Sequence, residues 1–351
     1  MNQNSPIYLV VIAGGSGTRF WPRSTSKRPK QLLSFGSSAS GSLLKQTVIR
    51  FDGIAHPKNR LIVTTATLKK AIEEENLDVT VLAEPQGRNT APCVYWAAQH
   101  VFQKDPQGIM LVMPADHYIA KPDKFRSTLK AAIEWAATHD DLVTLGIEPS
   151  RPETGYGYLR VASGDPQPSK VEAFVEKPNL EKAQAFLESG NYLWNGGMFV
   201  WKAKTILAAF DQFMPEMKKA WNEAKGDVEQ AYPKMTATSI DYGIMEKAQN
   251  VVAFHLDCGW DDLGSWTSLE NLADSLHLWK GENIVNQGEV LAIESSKNIV
   301  DVSKSKLVAL LGVSDLIIAE QGDALLIAHK DKAQDIRKIV EEAKKKRLDL
   351  V

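Results

Sequence analysis

The hydrophobic and polar positions of the first 265 residues alternate between two patterns. Short apolar runs are followed by segments whose apolar residues repeat at helical spacing, which is typical of an α/β domain with a mainly parallel sheet. The helical stripes around residues 94–102 and 125–136 are expected to pack in the core. The predicted strands are residues 7–12, 61–65, 109–113, 142–145, 171–175, 197–201 and 251–256.

The pattern changes after about Gly281. Short apolar runs separated by Gly, Asn, Asp and Ser recur about nine residues apart, which predicts a small all-β region, either a compact β-solenoid or a small sandwich. A final helix is predicted to start near Lys332, with a charged, solvated end at residues 344–347. We therefore expect two domains, residues 1–275 and 281–351. Edge strands need covering, so the β-rich region is a candidate surface for a homodimer.

Composition narrows the class of protein. The 351 residues are 44% hydrophobic and carry a formal net charge of -2, so no overall basic field favours nucleic acid or an acidic membrane. The N-terminus has no cationic start and no stretch is long enough to span a bilayer, which makes the cytoplasm the expected location. Cys93 and Cys258 lie far apart and suggest neither a disulfide framework nor a metal motif.

A glycine-rich turn follows the first predicted strand. Gly14, Gly15 and Gly17 allow the backbone to approach a ligand closely and to point N–H groups into one concavity, while Arg19 and Lys30 supply positive charge. This combination indicates a site for a nucleoside triphosphate. The turn fits neither the P-loop nor the dinucleotide-binding fingerprint. The alternative is an ordinary strand-to-helix turn.

Carboxylates follow two other predicted strands. Asp116 in the string MPADH is placed where open α/β sheets bind ligands and is a natural Mg²⁺ ligand, although it could equally cap a following helix. In GWDDLGSW only one of Asp261 and Asp262 is expected to face the cleft, because adjacent residues of an extended segment point to opposite sides. His117 and His255 are expected to be structural.

Three further strings are weaker signals. AEPQGRNTAP puts Arg88, Asn89 and Thr90 before a helix, where they could bind a polar ligand or simply cap the helix. FVEKP offers Glu176 for sugar hydroxyls and Lys177 for phosphate, although surface ion pairs would look the same. WNGGMF and ETGYGYL combine glycines with aromatic residues.

Taken in order, eight strings resemble those of the mannose-1-phosphate guanylyltransferases, also called GDP-mannose pyrophosphorylases. They are GGSGTRFWPRSTSKRPKQLL, AEPQGRNTAP, MPADH, ETGYGYL, FVEKP, WNGGMF, DYGIME and GWDDLGSW. The resemblance implies a Rossmann-like nucleotide-diphospho-sugar transferase domain with a mixed, mainly parallel sheet, then a small left-handed β-helix-like region and a terminal helix. It also implies the partners GTP, mannose 1-phosphate and GDP-mannose, with Mg²⁺ as cofactor.

The resemblance also implies roles for individual residues. The nucleotide-binding set is Ala13, Gly14, Gly15, Gly17, Thr18, Arg19, Lys30, Glu84, Arg88, Asn89, Thr90 and Asp116. The sugar-phosphate set is Gly157, Glu176, Lys177 and Asn195, and the metal ligands are Asp116 and Asp262. The catalytic set is Arg19, Lys30, Asp116, Lys177 and Asp262. Asp261 becomes a bystander.

Three positions depart from the family's pattern. Gly196 replaces a usual serine, Phe20 a leucine and Leu263 a valine, and the first of these leaves the choice of sugar open. Longer relatives continue into a phosphomannose isomerase domain, so that second activity is expected to be absent. Two alternatives stay open: the same chemistry on another nucleotide or sugar phosphate, and a non-catalytic nucleotide-sugar sensor.

Overall fold

The structure is a computed structural model, and it describes residues 5–15, 17–36, 41–162 and 167–347. Its strands, in chain order, are β1 (Ile7–Ala13), β2 (Arg60–Thr65), β3 (Thr80–Glu84), β4 (Ile109–Pro114), β5 (Tyr118–Ile119), β6 (Leu142–Ile147), β7 (Gly157–Val161), β8 (Ser169–Glu176), β9 (Tyr192–Lys202), β10 (Val251–Leu256), β11 (Trp260–Asp261), β12 (Trp279–Lys280), β13 (Asn283–Gln287), β14 (Glu289–Ile293), β15 (Ile299–Asp301), β16 (Leu307–Leu311), β17 (Leu316–Gln321) and β18 (Ala324–His329).

The α-helices are α1 (Leu43–Ile49), α2 (Lys69–Glu73), α3 (Thr90–Lys104), α4 (Pro122–Thr138), α5 (Leu180–Ser189), α6 (Ala203–Phe213), α7 (Pro215–Glu223), α8 (Val228–Ala231), α9 (Ser268–Leu272) and α10 (Ile336–Lys346). Short 3-10 turns include Thr18–Phe20, Lys30–Leu32 and Lys330–Asp335, and a π-helical turn spans Asp241–Met245. No helix of the described ranges is both long and apolar enough to cross a bilayer.

A nine-stranded sheet in the order β3-β2-β1-β4-β9-β6-β10-β8-β7 forms the first region. The strands β3, β2, β1 and β4 run parallel, whereas β9 lies antiparallel between β4 and β6, and β7 pairs antiparallel with β8 and β9. The sheet is mixed, as expected, and every predicted strand is present. The sequence patterns missed β3, a half-exposed edge strand, and β7, which follows the glycines of ETGYGYL.

Both faces of the sheet are buried. Along β1, Tyr8 and Val10 pack into one hydrophobic cluster together with α3, while Leu9 and Val11 pack into a second cluster together with α4. Successive side chains of a strand point to opposite faces, so a continuous apolar run buries both. The helical stripes predicted from the sequence are therefore core, as expected.

The C-terminal region forms a short parallel coil. β13, β15 and β17 build one ladder, and β14 and β16 build a second. Ile299 pairs with Ile317 and Val290 pairs with Val308, so the full coil takes eighteen residues, whereas Ile284 pairs with Ile299 after fifteen. The nine-residue spacing in the sequence is half a coil, which decides for the solenoid over the sandwich.

Two details of the C-terminal region differ from the sequence expectation or add to it. The last α-helix begins at Ile336 rather than near Lys332, because residues Lys330–Asp335 form a 3-10 helix first. Phe20, Trp266, Ile299, Ile317 and Ile336 belong to one buried cluster, so the coil packs against the glycine-rich loop. The domain boundary between residues 275 and 281 stays a prediction.

Candidate active site

The glycine-rich turn begins where β1 ends at Ala13. Gly15 has φ 88° and Gly17 has φ 56°, conformations that disfavour residues with a side chain. A Cβ at Gly17 would lie 2.5 Å from the Cβ of Lys30, so only glycine lets these segments approach so closely. A Cβ at Gly14 or Gly15 would meet no described atom within 4 Å, which leaves their backbone open to a ligand.

A cavity of about 350 Å³ opens beside this turn, at the carboxyl ends of β1, β3 and β4, and we call it the glycine-loop cavity. It brings together the predicted residues Gly14, Gly15, Glu84, Arg88, Asn89, Thr90 and Asp116. Asp241, the first residue of the π-helical turn, and Ile240, which precedes it, also line this cavity. Ala13, Gly17, Thr18 and Lys30 are not among its described lining residues.

Hydrogen bonds fix the polar side chains at one end of this cavity. Arg88 Nη1 donates to the Met235 carbonyl at 2.7 Å. The Tyr232 hydroxyl donates to Glu84, and burial nevertheless raises the pKa of that carboxyl group. Asn89 Oδ1 accepts from the Thr90 amide at 2.8 Å, so Asn89 caps helix α3. Asn89 also lines the cavity.

Lys30 joins the two predicted carboxylate loops. Its Nζ lies 2.7 Å from Asp116 Oδ2, 2.5 Å from the Asp262 carbonyl and 3.2 Å from the Leu263 carbonyl. These contacts use all three donors of the ammonium group. Burial alone would raise the pKa of Asp116, but the positive charge of Lys30 and its hydrogen bond to the carboxylate hold that pKa below its usual value. Asp116 does not cap a helix, because α4 begins at Pro122 and its N-cap is Lys121.

A short antiparallel ladder brings the loops of Asp116 and Asp262 together. Ile119 of β5 pairs with Trp260 of β11, which draws the loop after β4 against the loop after β10. The two acids of the second loop then separate as expected. Asp261 is buried and accepts from the Leu263 amide at 2.8 Å and from Asn271 at 3.1 Å, whereas Asp262 faces a cavity.

The histidines of these loops are structural, as expected. Trp260 Nε1 donates to His117 Nδ1 at 3.0 Å, and burial lowers the pKa of His117 to about 4, so the ring is neutral. His255 Nε2 lies 3.1 Å from the Ser169 hydroxyl on the neighbouring strand. The two rings therefore take part in separate hydrogen bonds and do not form a pair of metal ligands.

A second cavity, of about 530 Å³, lies between the first region and the C-terminal region, and we call it the interdomain cavity. Of the predicted residues it contains Arg19, Lys177 and Asp262. It also contains Arg151 and Gln334, which sequence reasoning did not single out, and Glu153 and Tyr156 from the string ETGYGYL, which received no role. The string ETGYGYL pointed to Tyr156 without a role, while Arg151 and Gln334 carried no sequence signal.

Tyr156 and Arg151 form the wall beside Asp262. The Tyr156 hydroxyl donates to Asp262 Oδ1 at 2.8 Å, and burial and the neighbouring acids raise the pKa of Tyr156 so that it keeps its proton. Arg151 contacts Glu153 at 3.2 Å, and its guanidinium lies 5.2 Å from the Trp194 ring. This wall therefore orients the Asp262 carboxylate.

The residues predicted for the sugar phosphate lie next to one another. Gly157 pairs with Glu176 across β7 and β8, and a Cβ at Gly157 would lie 2.7 Å from Glu176 Oε2. Lys177 Nζ lies 3.0 Å from Glu176 Oε1. Asn195 Nδ2 donates to Asp241 Oδ1 at 2.7 Å, and Asp241 lines the glycine-loop cavity. This cluster lies beside both cavities, although of its four predicted residues only Lys177 is among the described lining of either.

The donor atoms present can be compared with the needs of Mg²⁺. No group of three or more His, Cys, Asp or Glu side chains in the described part of the chain is arranged to hold a metal ion. Mg²⁺ is commonly held by one or two carboxylates together with substrate phosphates. The chain offers Asp116, which lines the glycine-loop cavity, and Asp262, which lines the interdomain cavity, while Lys30 contacts the Asp116 carboxylate and the Asp262 backbone carbonyl.

The comparisons with known proteins agree with this architecture. The family described as nucleotidyl transferase matches residues 8–277, and the family described as a MannoseP isomerase/GMP-like beta-helix domain matches residues 288–343. The chain belongs to the nucleotidyl transferase family.

Similar proteins define the group within that family. The mannose-1-phosphate guanylyltransferase of Escherichia coli K12 is 37% identical, over 97% of this chain and 74% of its own. An enzyme of the same name from Salmonella typhimurium is 36% identical over the same shares. A crystal structure described as a mannose-1-phosphate geranyltransferase from Thermus thermophilus is 32% identical with a TM-score of 0.88, covering 96% of this chain and 99% of its own. The chain belongs to the mannose-1-phosphate guanylyltransferase group.

The three departures from the family pattern have structural explanations. Phe20 lies with its ring 5.2 Å from those of Phe35 and Trp266 and anchors the loop. Leu263 is buried in the same cluster. A Cβ at Gly196 would meet Met198 and Ile147 at 3.0 and 3.2 Å, so a serine there would point into the core rather than toward a sugar.

Proposed function

We propose that the protein transfers a guanylyl group from GTP to mannose 1-phosphate, which forms GDP-mannose and releases diphosphate. The observation that carries the proposal is the junction at Lys30, where Asp116 of the glycine-loop cavity and the Asp262 segment of the interdomain cavity contact one ammonium group. The relatives named as mannose-1-phosphate guanylyltransferases support the choice of substrates.

GTP is proposed to occupy the glycine-loop cavity. Its phosphates would lie over Gly14 and Gly15, where the backbone is open, and continue toward Arg19. The guanine would lie toward Glu84 and Arg88. A carboxylate accepts from the N–H donors of a guanine edge and a guanidinium donates to its acceptors, so this pair of side chains is complementary to the base.

Mannose 1-phosphate is proposed to lie between the two cavities, with its phosphate near Lys177 and its hydroxyls near Glu176 and Asn195. The Glu176 carboxylate occupies the space that a side chain at Gly157, its cross-strand partner, would need, and this position lets it accept from sugar hydroxyls. The Lys177 ammonium is exposed and free to exchange its contact with Glu176 for a phosphate oxygen.

The reaction is then an in-line displacement. An oxygen of the sugar phosphate forms a bond to the α-phosphorus of GTP, the bond to the oxygen that bridges the α- and β-phosphates breaks, and diphosphate leaves with the electron pair. The attacking oxygen is already an anion, so no general base is required. What the chain must do is bring two polyanions together in the right orientation.

Electrostatics sets the size of that task. At 4 Å and an effective dielectric constant of 20, each pair of like charges costs about 4 kcal/mol. Arg19 and Lys177 are the proposed cations that meet the phosphates. Lys30 already uses its three donors, so its proposed role is to hold Asp116 and the Asp262 loop together and to exchange a carbonyl for a phosphate oxygen on substrate binding.

Asp116 and Asp262 are the proposed ligands of Mg²⁺. When bound there, the ion would neutralise phosphate charge and help to orient the α-phosphate. Tyr156 keeps the Asp262 carboxylate in place through its hydroxyl. Removal of divalent ions with EDTA is expected to abolish turnover, and added Mg²⁺ to restore it.

Diphosphate release over a matrix of nucleotides and sugar phosphates tests the proposal. The matrix crosses GTP and ATP with mannose 1-phosphate and glucose 1-phosphate, each with and without Mg²⁺. We expect GTP with mannose 1-phosphate to exceed the other pairs by at least about tenfold, a difference that a few pocket contacts can supply. Equal or faster release with another pair would contradict the choice of substrates. GDP-mannose binding in calorimetry without turnover of any pair would instead indicate a sensor.

A further inference from the structure

The C-terminal region contacts the loop that carries Arg19 at several separate points. Phe20 shares a buried cluster with Ile336 and Val340 of α10. Trp266 Nε1, from the segment before α9 in the first region, donates to the Trp21 carbonyl at 3.3 Å, so the same loop is also held within its own region. The loop that carries Arg19 is therefore packed on one side against the C-terminal region.

A buried ion pair anchors the same loop to the coil. Arg23 Nη1 lies 2.5 Å from Asp301 Oδ1, and their side chains are only 7% and 1% exposed. Asn286 donates to the other Asp301 oxygen at 3.0 Å and accepts from the Gly36 amide at 2.7 Å. Buried ion pairs add little net stability, but breaking one is costly, so this pair favours a single position of the loop.

Arg19 receives its own contact from the C-terminal region. Its Nη1 donates to Gln334 Oε1 at 3.1 Å, and both residues line the interdomain cavity. Gln334 lies in the 3-10 turn before α10, whose Ile336 is buried beside Phe20, so the amide is held on a packed element. A long arginine side chain otherwise loses conformational entropy when it meets a ligand.

We propose that the C-terminal region contributes to the phosphate site. In this proposal Gln334 is a positioning residue, which orients the Arg19 guanidinium toward the phosphates of the nucleotide. The Arg23 and Asp301 pair holds the loop so that this contact can form. The inference rests on the proposed function, since it takes Arg19 to meet phosphate. It extends that function by giving a residue outside the nucleotidyl transferase segment a part in nucleotide use.

A double-mutant cycle tests the role of Gln334. The variants are Gln334→Ala, Arg19→Ala and the double variant, and each is assayed for kcat/KM with GTP, KM for mannose 1-phosphate and melting temperature. Gln321→Ala is the matched control, because Gln321 is an exposed glutamine at the end of β17 that is absent from the described lining of both cavities. Gln334 is itself exposed, so alanine is expected to leave the melting temperature unchanged.

If Gln334 acts through Arg19, Gln334→Ala lowers kcat/KM for GTP about threefold to tenfold, the range expected for the loss of one ordinary hydrogen bond between exposed side chains. KM for mannose 1-phosphate stays the same, and Gln334→Ala has no further effect in the Arg19→Ala background.

Two results would overturn the inference. One is a Gln334→Ala enzyme that uses GTP as well as Gln321→Ala does, and the other is an equal loss with and without Arg19. Absence of turnover by the unmodified protein with every substrate pair would instead refute the proposed function, so the two failures are distinguishable.

Discussion

The two cavities on either side of Lys30 are built in different ways. The glycine-loop cavity is lined mainly by segments at the carboxyl ends of the parallel strands β1, β3 and β4, with further residues from β9 and the π-helical turn, and most of its polar residues come in short strings. The interdomain cavity combines the loop after β10, the segment before β7 and a residue of the C-terminal region. Short strings that follow parallel strands can be recognised in a sequence, whereas a wall assembled from distant segments cannot.

The largest expected effect comes from removing the charge of Asp262, the proposed metal ligand in the interdomain cavity. Asp262→Asn keeps the shape of the side chain but removes its charge, so turnover at saturating Mg²⁺ should fall by about 10²- to 10⁴-fold. Diphosphate release measures the loss. Asp257→Asn, on the same loop but half-exposed and paired with Lys121 and Lys124, is the matched control. Unchanged turnover in both Asp262→Asn and Asp116→Asn would refute the pair of metal ligands.

The contact between the regions should be visible in the pH dependence of stability. Burial raises the pKa of Asp301 to about 6, although Arg23, Asn286 and the more distant Arg28 favour its charged form. A raised carboxyl pKa stabilises the fold at low pH, and this contribution is lost as the pH rises through the folded-state value.

From roughly pH 4 to pH 7, the free energy of unfolding should therefore fall by about 2 kcal/mol relative to that of Asp301→Asn. Chemical denaturation of both proteins across this range measures the difference. Parallel curves would show that Asp301 titrates normally and that the pair with Arg23 is not buried as described.

A smaller effect is expected from the wall of the interdomain cavity. Tyr156→Phe removes the hydroxyl that donates to Asp262 Oδ1 at 2.8 Å, so kcat should fall about tenfold while the protein remains folded. Tyr158→Phe is the control, since that hydroxyl donates at 2.8 Å to the Glu153 carbonyl and not to Asp262. If the two variants have the same kcat, Tyr156 does not position the carboxylate.

The smallest expected effect separates the two substrates. Gly157→Ala would place a methyl group 2.7 Å from Glu176 Oε2 and so displace that carboxylate. KM for mannose 1-phosphate should rise about threefold to tenfold, while KM for GTP stays within about twofold, because the glycine-loop cavity is untouched. A rise confined to KM for GTP would mean that Glu176 faces the nucleotide.

The site could be predicted in part. Gly14, Gly15 and Asp116 were predicted because each follows a predicted strand, whereas Glu84 was predicted only from the family resemblance and Arg88 from its place before a helix; the structure brings all five to one cavity. The roles of Tyr156 and Arg151 were missed because both depend on the proximity of Asp262, which lies more than a hundred residues further along the chain. Gln334 was missed because a lone glutamine before a helix matches no functional motif, and its contact with Arg19 is made only in the folded chain.

The sequence by itself determined the α/β alternation, the nine-residue rhythm of the coil and the strings that carry phosphate-binding chemistry, because these depend on local periodicity and on adjacent residue types. Only the tertiary structure decided that Lys30 joins the loops of Asp116 and Asp262 and that the C-terminal region packs against the loop of Arg19, and it places Asp262 at a cavity, as the family resemblance implied. Those facts depend on strand pairing and side-chain packing between distant segments, which no local pattern records.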